Sequence, residues 1–266
     1  MNKFTLPVLC LGLAQLPAQV LLSDNFTYAD GPLTNVSGQA WAIHSGTVSL
    51  LVSGGAAIIN QGDTTGGRED LNRLLSTSFN PTTDNTSTIY GSFTINYSAL
   101  PVAGDSDGSY FAHLKASAAN EFYARIGSTT SGAAPGTFRL SVANESWNVA
   151  NTVEFAQDLS LNTTYQVVFR FDLATDRTTL WVDPLDESST SVTALDAVGY
   201  AVGNINAYAL REGTSGTGAP GALRLDNLVV GQTFADVTTA VPEPSTYAFI
   251  GLGLTAFWFI TRRRRA

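Results

Sequence analysis

Residues 165–183 read Tyr165-Gln-Val-Val-Phe-Arg-Phe-Asp172, Leu173-Ala-Thr-Asp-Arg177, Thr178-Thr-Leu-Trp-Val-Asp183. In an extended chain successive side chains alternate between two faces. Tyr165, Val167, Phe169 and Phe171 therefore share one apolar face, while Gln166, Arg170 and Asp172 lie opposite. A turn at 174–176 returns the chain into a second strand, in which Leu180 and Val182 alternate with Trp181. The pattern predicts a β-hairpin with one core face and one partly polar face.

Outward from this hairpin the same texture continues. Short runs rich in Val, Ile, Thr, Phe and Tyr alternate with clusters of Gly, Ser, Asn and Asp, and helical periodicity is scarce between residues 20 and 240. Further strands are predicted at 39–44, 48–52, 56–59, 88–97, 110–115, 122–127, 138–142, 207–211 and 223–230. Loops at 62–67, 104–108, 128–136 and 213–221 separate them. No repeat and no Pro- or Ser-rich linker divides the span, so one all-β domain, an antiparallel β-sandwich over residues 19–236, is the simplest organisation. A connector over 237–240 follows it.

Both ends of the chain carry segments of a different kind. Met1-Asn2-Lys3, the apolar run Phe4 to Leu16 and the break Pro17-Ala18-Gln19 have the layout of a secretory signal peptide over 1–18, cut after Ala18. This implies passage through the Sec translocon. Cys10, the single cysteine, lies inside that segment, so the mature chain has neither disulfides nor cysteine metal sites. At the other end stand Pro242-Glu243-Pro244, an uncharged stretch of 17 residues from Ser245 to Thr261, and Arg262, Arg263, Arg264 and Arg265. As a helix the uncharged stretch spans about 25 Å, the short end of what crosses a bilayer. The terminal arginines are expected to stay cytoplasmic, with everything before Pro242 outside. The precursor is thus anchored, at least transiently, in the inner membrane.

The tail resembles the PEP-CTERM sorting signal, whose Val-Pro-Glu-Pro-Ser-Thr block, short membrane helix and arginine cluster all occur here in order over 241–266. The resemblance implies an exosortase-type processing enzyme that recognises Pro242, Glu243 and Pro244. It also implies a destination at the cell surface or in the extracellular matrix. The body, with Ser23-Asp-Asn-Phe26 and Gly38-Gln-Ala-Trp41 near its start and Leu225-Asp-Asn-Leu-Val-Val230 near its end, resembles concanavalin A-like or laminin-G-like jelly rolls. In such folds the first and last strands pair, which implies that Asp24 comes near Asp226. Some relatives hold a structural calcium at the sandwich rim, and Asp24 and Asp226 are the positions to examine for one. The simpler account, that both accept turn or strand-end hydrogen bonds, is preferred, and no other cofactor is expected.

Charge narrows the partners. Between residues 19 and 242 there are nine Lys and Arg against 21 Asp and Glu, a net charge of −12, which repels nucleic acid and anionic lipid. Catalytic patterns are missing. Glucanases on jelly rolls space carboxylates as Glu-x-Asp-x-Glu or Glu-x-Asp-x-x-Glu, and neither occurs; Glu69 and Asp70 are adjacent and point to opposite faces if extended. The two histidines, His44 and His113, are far apart, no Gly-x-Ser-x-Gly elbow is present, and zinc lacks a ligand set. Sugar sites use flat aromatics beside hydrogen-bonding groups, and among Trp41, Tyr90, Tyr110, Tyr123, Trp147 and Trp181, the tryptophans at 147 and 181 are the candidates for a glycan platform. Core packing is the competing role for such rings. The reading is an exported, non-enzymatic envelope or matrix protein in contact with extracellular polysaccharide; a carbohydrate-active hydrolase on the same fold is the alternative.

Overall fold

The hairpin anchors the larger of two sheets. The computed structural model describes residues 19–60, 68–101, 109–117, 121–145, 151–194, 203–212 and 221–238. In it, Thr164–Asp172 pairs antiparallel with Arg177–Val182, from Val167 opposite Val182 to Asp172 opposite Arg177. Val167, Phe169 and Phe171 are fully buried, as the alternation requires. The signal peptide at 1–18 and the tail at 241–266 lie outside the described residues. Among those residues no helix is long and apolar enough to cross a membrane.

The first sheet runs in the order Ser191–Ala194, Arg177–Val182, Thr164–Asp172, Thr88–Ala99, Ala222–Gly231, Ala57–Ile59, Leu51–Val52, Gly31–Pro32. Val20–Asp24 joins it by pairing with Ala222–Gly231, Ser23 opposite Val229 and Asp24 opposite Leu228. The first and last strands do pair. The second sheet runs Val153–Glu154, Thr137–Ala143, Phe122–Thr129, Ser109–Ala116, Ile205–Arg211, Asp70–Phe79, Ala42–Ser45, with Leu159–Ser160 beside Thr137–Ala143. Each sheet has an apolar face, and burying the two against each other makes the sandwich.

Aromatic rings bridge the sheets. Phe169 of the first stacks on Tyr208 of the second at 5.9 Å, and Tyr97 lies 4.2 Å from Phe138. Phe111 meets Phe93 and Tyr97 edge-on at 6.1 and 6.4 Å. Gly91 sits opposite Phe169, where an added Cβ would come within 2.2 Å of the ring, so only glycine lets the ring lie across its neighbouring strand.

Several elements were not foreseen, and two of them bear on the packing. Asp70–Phe79 is a ten-residue strand whose alternation is broken by Arg73, which turns toward the core rim to reach Asp24, and by Leu74, which is 66% exposed. Phe234–Thr238 is a short helix lying on the outer face of the first sheet. Thr233 and Asp236 close its first turn: the Asp236 carboxylate accepts from the Gln232 and Thr233 N–H groups, and the Thr233 hydroxyl accepts from the Asp236 N–H. Val237 is 3% exposed and its carbonyl accepts from the Ser92 hydroxyl. The helix continues past the expected boundary at 236 to Thr238, and residues 239–240 of the expected connector lie outside the described residues.

Candidate functional site

The outer face of the second sheet collects aromatic and basic side chains through a pair of β-bulges. Between Ser109–Ala116 and Phe122–Thr129, Tyr110 is opposite Gly127, Ala112 opposite Ile126 and Leu114 opposite Tyr123. The first step gains a residue in one strand, at Phe111, and the second gains one in the other, at Ala124. Ala124 has φ +49°, the left-handed conformation expected of a bulge residue. Phe111 and Ala112 both face the core, as do Tyr123 and Ala124. Consequently Tyr110 and His113, three apart, share the outer face, and so do Phe122 and Arg125. Ala209 opposite His113 and Asp70 opposite Arg211 extend that face across the next strands.

These side chains form one cluster. His113 lies 4.7 Å from the Phe122 ring and 5.4 Å from Tyr110, both edge-on. Arg125 stands over both rings, at 5.0 Å from Tyr110 and 5.3 Å from Phe122, while Arg211 is 4.4 Å from the Tyr110 centroid. Such contacts hold a guanidinium by its plane, and Arg211 Nη1 also donates to the Tyr110 carbonyl at 3.3 Å. His44 contacts the far edge of Phe122 at 5.4 Å. Tyr110, Phe122, Arg125 and Arg211 are half-buried, whereas His113 is 1% exposed at the floor.

His113 has neither ring nitrogen hydrogen-bonded. Burial first, and then the charges of Arg125 and Arg211, hold its pKa well below the ordinary histidine value, so the ring is neutral at pH 7. A neutral imidazole still offers one N–H donor and one acceptor. His44 is lowered too, by burial and then by Lys115. Asp70 is the carboxylate of this face, accepting from the Ser45 hydroxyl at 2.9 Å, and burial raises its pKa.

The other carboxylates near this sheet serve as braces. Glu69 points inward, opposite to Asp70 as the sequence implied, and accepts from the Leu50 N–H at 3.2 Å. Glu212 accepts from the Asn60 N–H at 3.0 Å and lies 3.6 Å from Arg68; burial pushes its pKa up to about 7. Both thereby tie the second sheet to segments leading into the first.

The structure brings Asp24 near enough to Asp226 for their charges to interact, as the first-to-last strand pairing implies. Asp24 is nevertheless filled by donors: the Phe26 N–H at 2.8 Å, the Tyr28 hydroxyl at 3.0 Å, Trp41 Nε1 at 2.8 Å and Arg73 at 2.5 Å. Asp226 accepts from the Asn227 N–H at 2.6 Å. A carboxylate already bonded to an arginine and three neutral donors does not suit a cation, so calcium between Asp24 and Asp226 does not fit. Among the described residues no group of three or more His, Cys, Asp or Glu is placed to hold a metal.

The expected glycan platforms fare differently. Trp181 is 2% exposed, with Phe234 edge-on at 5.8 Å, so it offers no open ring to a sugar. Trp147 lies outside the described residues. Trp41, Tyr90 and Tyr123 are buried, which leaves Tyr110 as the half-exposed ring of that set among the described residues. Phe122, Arg125, Arg211 and His113 were not picked out by sequence as binding residues. A usable signal was present: His113, Lys115 and Arg125 lie within one predicted hairpin of an otherwise acidic domain.

Residues 240–265 match the PEP-CTERM protein-sorting motif. The body is a β-sandwich that resembles jelly-roll folds. The alginate lyase Aly36B is 12% identical, covers 81% of this chain and 97% of its own, and has a TM-score of 0.48. The CBM2 module of the evolved Dit of Lactobacillus casei BL23 phage J-1 is 10% identical, with coverage of 80% and 95% and a TM-score of 0.47. An alginate lyase from Alteromonas sp. 272 is 10% identical, with coverage of 77% and 99% and a TM-score of 0.42. No curated protein matches the chain. The sorting motif implies export and processing of a membrane-anchored precursor.

Proposed function

We propose that this is an exported, non-catalytic protein of the cell surface or extracellular matrix that contacts extracellular polysaccharide through the outer face of its second sheet. The observation that carries the reading is the Tyr110–Phe122 pair of half-buried rings with arginines stacked on them and a histidine beneath. Flat rings beside fixed hydrogen-bond donors are what a sugar ring requires, since its C–H faces pack on aromatics and its hydroxyls need partners. Nearby carboxylates support the non-catalytic side of the reading, because Asp70, Glu69 and Glu212 bond Ser45, Leu50 and Asn60. A polysaccharide array probed with the full chain purified in detergent tests it. Retention of at least one glycan is expected; binding to none sinks the reading, and shortening of a bound glycan would favour the hydrolase alternative instead.

The same proposal assigns Pro242, Glu243 and Pro244 to recognition by an exosortase-type enzyme, with Arg262–Arg265 holding the precursor's end on the cytoplasmic side. Replacing Pro242, Glu243 and Pro244 by alanine is expected to leave an unprocessed, membrane-held form on fractionation. Normal maturation and release of that variant would remove the assignment.

A further inference from the structure

The helix Phe234–Thr238 is the last packed element before the sorting motif, and only Thr239, Ala240 and Val241 separate it from Pro242. A chain spans at most about 3.6 Å per residue, so Pro242 lies within about 14 Å of Thr238. The uncharged stretch that begins at Ser245 starts within about 25 Å of Thr238 by the same arithmetic. An enzyme of the membrane that acts at Pro242-Glu243-Pro244 therefore works in a gap between the bilayer and the outer face of the first sheet. Even at full extension that gap is less than the diameter of a small domain, about 30 Å.

The helix is attached in a way that lets it leave without unfolding the body. Five residues are too few to stay helical without packing, so its shape depends on the sheet beneath. Its apolar contacts, through Phe234 and Val237, go to Tyr90, Val168, Val229 and Trp181, a cluster separate from the core that joins the two sheets. The Ser92 hydroxyl donates to the Val237 carbonyl and is the polar tie to the strand below. One residue before the helix turn, the Thr88 hydroxyl donates to the Gln232 carbonyl at 3.2 Å and marks where the chain is held to the sheet again. Gly231 sets how closely the helix lies. A Cβ there would come within 2.7 Å of the Asp236 Cβ and 3.3 Å of Val237 Cγ1.

We propose that this helix is a latch on processing. Docked, it holds Pro242-Glu243-Pro244 too close to the sandwich for a membrane enzyme to close around the motif. Released beyond Gln232, it leaves ten residues of chain up to Pro242 and raises the reach to about 36 Å. Small units at the edge of a fold open more readily than its core, so release is a local event. The inference rests on the reading that Pro242, Glu243 and Pro244 are recognised by an exosortase-type enzyme, and it adds what governs access to them.

The test follows conversion of the full-length precursor by pulse–chase in an exporting host that carries such an enzyme. Gly231→Ala, which pushes the helix off the sheet, should speed maturation threefold or more. A six-residue Gly/Ser spacer between Thr238 and Thr239 also places ten residues between the held chain and Pro242, and should speed it equally with the helix docked. Combining the two should add less than 1.5-fold, because either one supplies the reach. Val142→Ala, in the main core, should leave the rate within 1.5-fold. Thermal unfolding checks each variant, and Val237→Ala, which removes the helix's buried apolar side chain, replaces Gly231→Ala if that one does not fold. An unchanged or slower rate with the spacer, multiplying effects in the combination, or Val142→Ala matching Gly231→Ala overturns the latch. Replacing Pro242, Glu243 and Pro244 by alanine in the spacer background separates the two readings. Blocked maturation there leaves the sorting assignment standing whatever becomes of the latch, whereas normal maturation removes both.

Discussion

On the first sheet the outer face pairs an arginine with an aromatic, as the second sheet does, but there the set is closed. Arg170 lies over Trp181 and bonds Glu187 at 3.0 Å, and the Tyr90 hydroxyl donates to the same carboxylate at 2.6 Å. Burial first, and then the bond to Glu187, pushes the Tyr90 hydroxyl up to about 12. The Phe234–Thr238 helix caps the group, its Phe234 ring edge-on to both Tyr90 and Trp181 at 6.3 and 5.8 Å. On the second sheet Tyr110, Phe122, Arg125 and Arg211 repeat the arginine-on-ring geometry over His113, whose ring nitrogens are not hydrogen-bonded. The difference teaches that an arginine stacked on an aromatic is not itself a site. Both faces hold buried polar atoms without hydrogen bonds, Trp181 Nε1 and Arg170 Nε on the first and the His113 ring nitrogens on the second, so it is the carboxylate and the apolar lid that make the first set packing.

The comparison can be broken most directly at the lid. Phe234→Ala should cost about 2 kcal/mol, because it removes a half-buried ring and uncovers Trp181. The expected signs are a fall of several degrees in Tm and a red shift of tryptophan emission. If neither moves, the helix is not a lid and the two faces are alike.

At the rim joining the sheets, Glu212 supplies a pH test of intermediate size. Burial raises its folded pKa from 4.5 to about 7, so its carboxyl favours the folded state fully below about pH 4.5 and loses that contribution as pH rises through 7. Glu212→Gln cannot ionise. Its stability relative to the unmodified chain should therefore improve by roughly 1–2 kcal/mol between pH 5 and pH 8. A difference that is flat with pH, measured by denaturant unfolding, would show that burial does not govern this carboxyl.

The smallest stability effect is expected on the second face. Phe122→Ala should cost below about 1 kcal/mol, since its neighbours are the half-buried His44 and Arg125 and the edge of His113 rather than the core. It should weaken glycan retention all the same. A loss as large as that of Phe234→Ala, with binding unchanged, would reverse the roles assigned to the two faces.

Much of the fold was legible in order along the chain. The 165–183 hairpin announces itself by alternation, and the strand expected at 223–230 forms within Ala222–Gly231 and pairs with the first strand. The missing strand, Asp70–Phe79, was hidden because its alternation is bent by a tertiary obligation: Arg73 turns inward to meet Asp24, 49 positions away. Trp181 shows the reverse failure. Alternation correctly set it opposite Leu180 and Val182, but a helix more than 50 residues later decides that the ring is covered.

By itself, then, the sequence determined an exported β-sandwich with a sorting tail, since period-two patterning, the signal-peptide layout and the Pro-Glu-Pro, apolar and arginine blocks are local properties of the chain. Only the tertiary structure decided which face carries the candidate site. Tyr110 with His113, and Phe122 with Arg125, are spaced three apart, a spacing that simple alternation sends to opposite faces. They meet because one bulge at Phe111 and another at Ala124 each shift the alternation by one residue. A bulge is fixed by the register between two strands, and that register is settled by which side chains both sheets bury together.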